Sequence, residues 1–167
     1  PWVKIIALSG TTKEKLIKAG IDRQKIKVIY GGVDLNKFKI KNSRLKIKNI
    51  ICISRLVKYK RVNDLIIAFS QLIKKHPDLN LVIVGQGPEE NKLKKSVSLK
   101  RLTKKVSFYK NLTRNKLIQL LKKSYILCLP SVIEGFGLAT IEAAACQIPY
   151  VISDIKVSKE ITKNGQG

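Results

Sequence analysis

The sequence predicts an α/β protein built on a doubly wound parallel sheet, and three observations carry that expectation. From Leu45 onward, short apolar runs alternate with longer segments of helical spacing. The runs are continuous rather than alternating, as in KNIICIS over Lys48–Ser54, which is the mark of strands covered on both faces. Helix-length connections separate them, and parallel neighbours require such crossovers.

Before that region, Val3–Leu8 reads as a strand, Thr11–Ala19 as a helix closed by Gly20, and Ile26–Ile29 as a second strand leading into a turn at Gly31–Asp34. This βαβ piece is too small to hold a core alone. Residues 39–47, opening on KIKNSRLK, are polar and aperiodic and read as a connector. The main region then begins with the strand Lys48–Ser54 and a helix over Val62–Ile73, whose Val62, Leu65, Ile66, Phe69, Leu72 and Ile73 share a face. The cycle recurs as Asn80–Val84 with Glu89–Leu102, Val106–Tyr109 with Arg114–Lys122, Ile126–Leu129 with Leu138–Ala145, and Tyr150–Ile152 with Ile155–Thr162. In such a sheet, ligands bind beyond the carboxyl ends of the strands.

Composition agrees with a folded protein. The 167 residues are 44% apolar, enough to bury a core, and no run approaches the roughly 18 apolar residues of a membrane-spanning helix. The start, Pro1-Trp2-Val3-Lys4, has neither an initiator methionine nor the form of a secretory signal, and both ends read as cut from something longer. Cys52, Cys128 and Cys146 lie apart in apolar settings, with a single histidine, His76, in a helix-ending sequence. They read as buried thiols of a cytoplasmic protein, with no metal site. The formal charge of +23 would attract polyanions, phosphorylated ligands or an anionic membrane surface. The basic residues are spread over every helix, so a solvated surface is the simpler reading, and the stretch from Leu93 to Lys105 is the candidate membrane patch. Nucleic acid is not expected as a partner, because aromatics are only 6% and no binding signature occurs.

Residues with chemical potential cluster after the strands. Arg55 follows the first main strand and Lys60 opens the next helix, so two cations stand at the sheet edge, either as surface charges or as a phosphate-binding pair. Gly85-Gln86-Gly87-Pro88 starts a helix without the third glycine of a dinucleotide fingerprint, and a structural turn explains it. After Ile126–Leu129 the chain passes Glu134, turns at Gly135-Phe136-Gly137, and enters a helix near Leu138 that carries Glu142. Glycines there let backbone N–H groups face an anion or hydroxyl-bearing groups. Eight helical residues rise about 12 Å, whereas hydrolytic carboxylate pairs stand roughly 5 to 9.5 Å apart. The two glutamates are therefore expected to grip different parts of one extended ligand through vicinal hydroxyls, as in sugars and ribose.

Taken in order, these motifs resemble the donor half of the retaining, nucleotide-sugar-dependent glycosyltransferases of family 4, which have the GT-B fold. The match covers Ser9–Lys13 and Gly32–Asp34, Ser-Arg-Leu-Val-x-x-Lys (Ser54–Lys60), Val-Gly-x-Gly-Pro-Glu (Val84–Glu89), Pro-Ser-x-x-Glu-Gly-Phe-Gly-Leu (Pro130–Leu138), and the Glu-x7-Glu spacing. The resemblance implies that residues 1–38 end an acceptor-side domain, 39–47 connect, and 48–167 form a truncated, Rossmann-like donor-binding domain. It implies that Arg55 and Lys60 hold the donor diphosphate and Glu134 meets the donor sugar. The backbone of the Gly135-Phe136-Gly137 turn would read sugar hydroxyls, the Leu138 amide would meet a phosphate, and Glu142 would take the ribose. The loop after Tyr109 would read the base. The reaction implied is hexose transfer from a nucleoside diphosphate sugar to a saccharide or lipid-linked acceptor with retention, with no cofactor or metal, in the cytoplasm or on the cytoplasmic membrane face, and with this segment inactive alone. Arg61 stands where the family often has glycine, as does Lys110. A sugar-nucleotide epimerase of the same fold and a basic nucleic-acid-binding module are the alternatives.

Overall fold

The structure, a computed structural model, describes residues 4–38 and 48–163. The expected connector, 39–47, lies outside the described residues, as does Val3 of the first expected strand.

The main body is a five-stranded sheet, parallel throughout, built from β3 (Asn49–Ile53), β4 (Asn80–Val84), β5 (Val106–Tyr109), β6 (Ile126–Leu129) and β7 (Tyr150–Ile152), in the order β5-β4-β3-β6-β7. The continuous apolar runs are the reason: Ile51, Leu81, Ile83 and Leu127 are wholly buried, as strands covered by helices on both faces must be. Ile51 pairs in register with Val82 on one side and Leu127 on the other. The covering helices are α3 (Val62–Leu72), α4 (Glu90–Leu99), α5 (Arg114–Lys122), α6 (Leu138–Ala145) and α7 (Lys156–Ile161). Of the predicted α3 stripe, Val62, Leu65, Ile66 and Phe69 are buried, each large side chain contributing about 1.5–3 kcal/mol, whereas at the helix end Leu72 is exposed and Ile73 half-buried.

The chain winds from β3 outward through β4 to β5, then returns to place β6 against the other edge of β3. The carboxyl ends of β3 and β6 therefore flank the point where the winding reverses, the place in open α/β sheets where a crevice forms.

Residues 4–38 make a separate two-stranded parallel sheet of β1 (Ile5–Ala7) and β2 (Ile26–Val28), joined by α1 (Gly10–Lys18). Ser9 caps α1 by accepting the Thr12 N–H at 3.0 Å, and Gly20, at φ 90°, ends it. A short helix not foreseen in the sequence, α2 (Leu35–Phe38), follows; it is too short for periodicity, and Asp34 starts it by accepting the Asn36 N–H. It buries Phe38 in the main core, where the Phe38 carbonyl accepts from the Cys146 thiol.

Candidate functional site

At the switch point, Lys60 and Glu134 come together. Lys60 Nζ lies 2.6 Å from Glu134 Oε1 and also donates to the Ile133 carbonyl at 3.3 Å. Both side chains are largely buried, 10% and 16% exposed, so the pair joins the segment after β3 to the loop after β6 away from most solvent. The Val132 N–H, donating to the Tyr59 carbonyl at 2.9 Å, ties the same two segments. Arg55 is exposed. Its guanidinium donates to the Tyr59 hydroxyl and lies 5.8 Å from the Tyr59 ring centre, while Lys60 Nζ lies 5.6 Å from that centre. One tyrosine thus collects two cations. Among the described residues no carboxylate pairs with Arg55.

The local backbone explains why these groups stand where they do. A Cβ at Gly85 would fall 1.8 Å from the Ser54 carbonyl oxygen, and one at Gly87 2.3 Å from the Leu56 carbonyl oxygen. The Gly-Gln-Gly turn therefore lets the β4 loop lie directly on the Arg55-bearing loop, and Leu56 N–H to Gln86 O (2.9 Å) and Glu89 N–H to Leu56 O (3.0 Å) lock it. The structural reading of that turn is the one the contacts support. Arg61 has φ 52°, a left-handed conformation that glycine adopts at lower cost.

The second part of the site is the turn before α6. Gly137 has φ 86°, and a Cβ there would lie 3.0 Å from Ile161 Cδ1. Gly135 differs: a Cβ there meets no atom of the described residues within 4 Å, so packing among them does not demand glycine. Phe136 is buried, with its ring centre 6.1 Å from that of Tyr30. The first turn of α6 holds no acidic side chain, which leaves the positive end of the helix dipole uncompensated near Leu138.

Glu142 lies on the buried side of α6, 4% exposed, and has its own cation: Arg114 Nη2 is 2.5 Å from Glu142 Oε1. Arg114, at the first position of α5, is half exposed and stacks with its guanidinium carbon 5.2 Å from the Phe38 ring centre. Each glutamate of the Glu-x7-Glu pattern is thus paired separately, Glu134 with Lys60 and Glu142 with Arg114. Sequence reasoning missed Arg114, which reads as an ordinary helix-start residue. One weak signal was available: a cation at the first position of a helix opposes the dipole, and a nearby anion offsets that. Tyr59 was missed too, and nothing local marks it.

The three cysteines are free. Burial pushes the Cys52 thiol up to about 12 and the Cys146 thiol up to about 11, and raises that of Cys128, so all three stay protonated near neutrality. Among the described residues, no three or more His, Cys, Asp or Glu side chains gather in a metal-binding group, and no helix is long and apolar enough to cross a membrane.

Residues 34–167 match the sequence model of the family described as "Glycosyl transferases group 1". The glycogen synthase of Mycobacterium tuberculosis is 33% identical over 165 residues, covering 97% of this chain and 40% of that protein. The O-antigen chain mannosyltransferase RfbU of Salmonella typhimurium is 32% identical over 164 residues, covering 96% of this chain and 45% of its own length. Among solved structures, a glycosyltransferase from Rickettsia africae superposes with a TM-score of 0.78 at 26% identity, covering 94% of this chain and 46% of the other. Anabaena Alr3699/HepE in complex with UDP-glucose superposes at 0.84 with 24% identity over 95% of this chain and 47% of that one, a likeness of fold. The chain spans less than half the length of these relatives.

Proposed function

Because this chain belongs to the glycosyl transferases group 1 family and has the α/β architecture of its GT-B members, we propose that it forms the donor-binding half of a retaining hexosyltransferase. The donor is a nucleoside diphosphate sugar, and the acceptor is a saccharide or lipid-linked saccharide. The observation that carries this reading is the Lys60–Glu134 pair at the winding reversal, where it joins a cation-rich segment after β3 to the turn that opens α6.

In the reaction, the bond between the sugar C1 and the diphosphate oxygen breaks while C1 bonds to an acceptor hydroxyl oxygen on the same face, and the hydroxyl proton leaves toward the departing diphosphate. Negative charge grows on that diphosphate. Arg55, which lacks a carboxylate partner among the described residues, and Lys60 stand ready to stabilise it without a metal, the form of catalysis worth most at such a step. Glu134 and the Phe136 and Gly137 N–H groups receive the sugar hydroxyls. The start of α6 at Leu138 receives a phosphate, and Glu142 accepts from the ribose. Names among the relatives support the substrate class: an O-antigen mannosyltransferase, and a solved complex with UDP-glucose.

On the same reading, residues 1–38 end an acceptor-side domain, and the segment by itself does not turn over. The site is cytoplasmic, and the basic surface around α4 contacts anionic membrane at its cytoplasmic face.

The test is donor transfer by the full-length protein carrying Arg55→Ala, Lys60→Ala or Glu134→Ala. Each is expected to lose at least about a hundredfold in rate, the order seen when one preorganised electrostatic partner is removed. Near wild-type rates in all three would refute the assignment.

A further inference from the structure

The small β1–β2 sheet does not merely lie beside the main body; the start of α1 is bonded to the turn before α6. Ser9 Oγ and Thr12 Oγ1 each lie 3.1 Å from the Gly135 carbonyl oxygen and 2.8 Å from each other. Ser9 is wholly buried and already accepts the Thr12 N–H, so its one proton is free to be donated. The two hydroxyl protons suffice to give the carbonyl one or two donors.

The seam is held from the other side by Glu160 of α7. Its carboxylate accepts from the Gly10 N–H (2.5 Å), the Thr11 N–H (3.0 Å), the Thr11 hydroxyl (2.7 Å) and the Tyr30 hydroxyl (2.9 Å), which fixes the first turn of α1. Close packing completes it, since a Cβ at Gly31 would meet Phe136 Cε1 at 2.7 Å.

The consequence lies in peptide geometry. The bond between Gly135 and Phe136 is trans, so its planar unit directs the Gly135 carbonyl and the Phe136 N–H in opposite directions. Anchoring the carbonyl on α1 therefore aims the N–H away from α1. No acceptor among the described residues takes that N–H. A Cβ at Gly135 would meet no atom of the described residues within 4 Å, so packing at Gly135 itself does not set its peptide plane, and the two hydroxyls are the hydrogen-bond donors that hold its carbonyl.

We propose that Ser9 and Thr12 are positioning residues that aim the Phe136 N–H into the donor-sugar site by holding the Gly135 carbonyl. The inference rests on the donor reading above and deepens it. Sugar discrimination is set partly by the start of α1, through the Gly135–Phe136 peptide rather than through the Leu138 amide that receives the phosphate.

The experiment uses the full-length protein and titration calorimetry with the uridine, guanosine and adenosine diphosphates and their glucose conjugates. Thr12→Val leaves the Ser9 cap in place, and Thr12→Ser keeps the hydroxyl. Thr12→Val is expected to weaken the sugar nucleotide about fivefold, the order of one neutral hydrogen bond, and to leave the nucleoside diphosphate unchanged. Thr12→Ser is expected to restore wild-type binding. Ser9→Ala combined with Thr12→Val should weaken the sugar nucleotide further, again sparing the nucleotide. Equal weakening of both ligands, unchanged binding of both in every variant, or failure of Thr12→Ser to rescue would overturn the positioning role while leaving the donor site standing. A wild-type protein that binds none of the six compounds would overturn the donor reading and this inference together.

Discussion

Lys60 and Glu134 form a 2.6 Å ion pair that spans the ends of β3 and β6, and both side chains are mostly withdrawn from water. A pair so placed gives little net stability, because desolvation offsets the attraction, yet removing one partner strands the other charge. It is a costly arrangement for a purely structural purpose. An anionic ligand that enters beside it meets a cation already oriented.

Single and double changes at this pair should therefore separate stability from chemistry. Lys60→Met or Glu134→Gln alone is expected to lower unfolding free energy by up to about 3 kcal/mol, the lower end for a broken buried pair. The double variant should recover most of that loss in denaturant titration and none of the transfer activity. Recovery of both would mean that the pair serves only the fold.

The pair of Glu142 with Arg114 predicts a different signature. Glu142→Ala is expected to weaken a nucleoside diphosphate about tenfold or more, as loss of a hydrogen-bonding carboxylate would, and to weaken its sugar conjugate by the same factor. Arg114→Ala should destabilise the protein by about 1–3 kcal/mol, because it leaves a buried carboxylate without a donor. Glu142→Gln in that background should restore part of the melting temperature. Calorimetric binding and thermal melts read the two effects.

The two glycines of the turn should behave unequally. Gly137→Ala forces an L residue to φ 86° with its Cβ 3.0 Å from Ile161, and is expected to cost about 1–2 kcal/mol of stability. Gly135→Ala adds a methyl to open space and should fold with an unchanged midpoint. If Gly135→Ala nevertheless weakens sugar-nucleotide binding, the ligand itself lies against that position.

Glu160 should give the α1–α7 seam an acid limit. Burial alone would raise its carboxyl, but the hydrogen bonds from Thr11, Gly10 and Tyr30 outweigh it and hold the carboxyl below its ordinary value of 4.5. A depressed carboxylate contributes stability above its unfolded pKa and loses it as pH falls through the folded one. Wild type is therefore expected to be more stable than Glu160→Gln near pH 7, and the difference should vanish below the folded pKa. A gap that stays constant with pH would show that the contact does not depend on the charge.

Much of this was legible in the chain because the relevant forces are local. Strands β4, β5, β6 and β7 and helices α5 and α6 fall where continuous apolar runs and helical spacing place them, and the Gly85-Gln86-Gly87 turn falls where two backbones pass closely. The four-residue length of α2, with Phe38 its single buried side chain, left no such trace. Arg114 and Tyr59 carried no local mark of their partners, since Glu142 is 28 positions from Arg114 and Tyr59 reads as one more residue of a polar loop.

By itself, the order of apolar runs and turn residues determined a parallel sheet with its reactive groups beyond the strand ends, since burial on both faces and helical crossovers permit little else. Only the folded chain decided the strand order, and with it which loops share the crevice. It alone matched each glutamate with its cation and set the hydroxyls of Ser9 and Thr12 on a carbonyl more than a hundred residues away. Those pairings join segments distant in the chain, and distance along a sequence leaves no periodicity from which to read them.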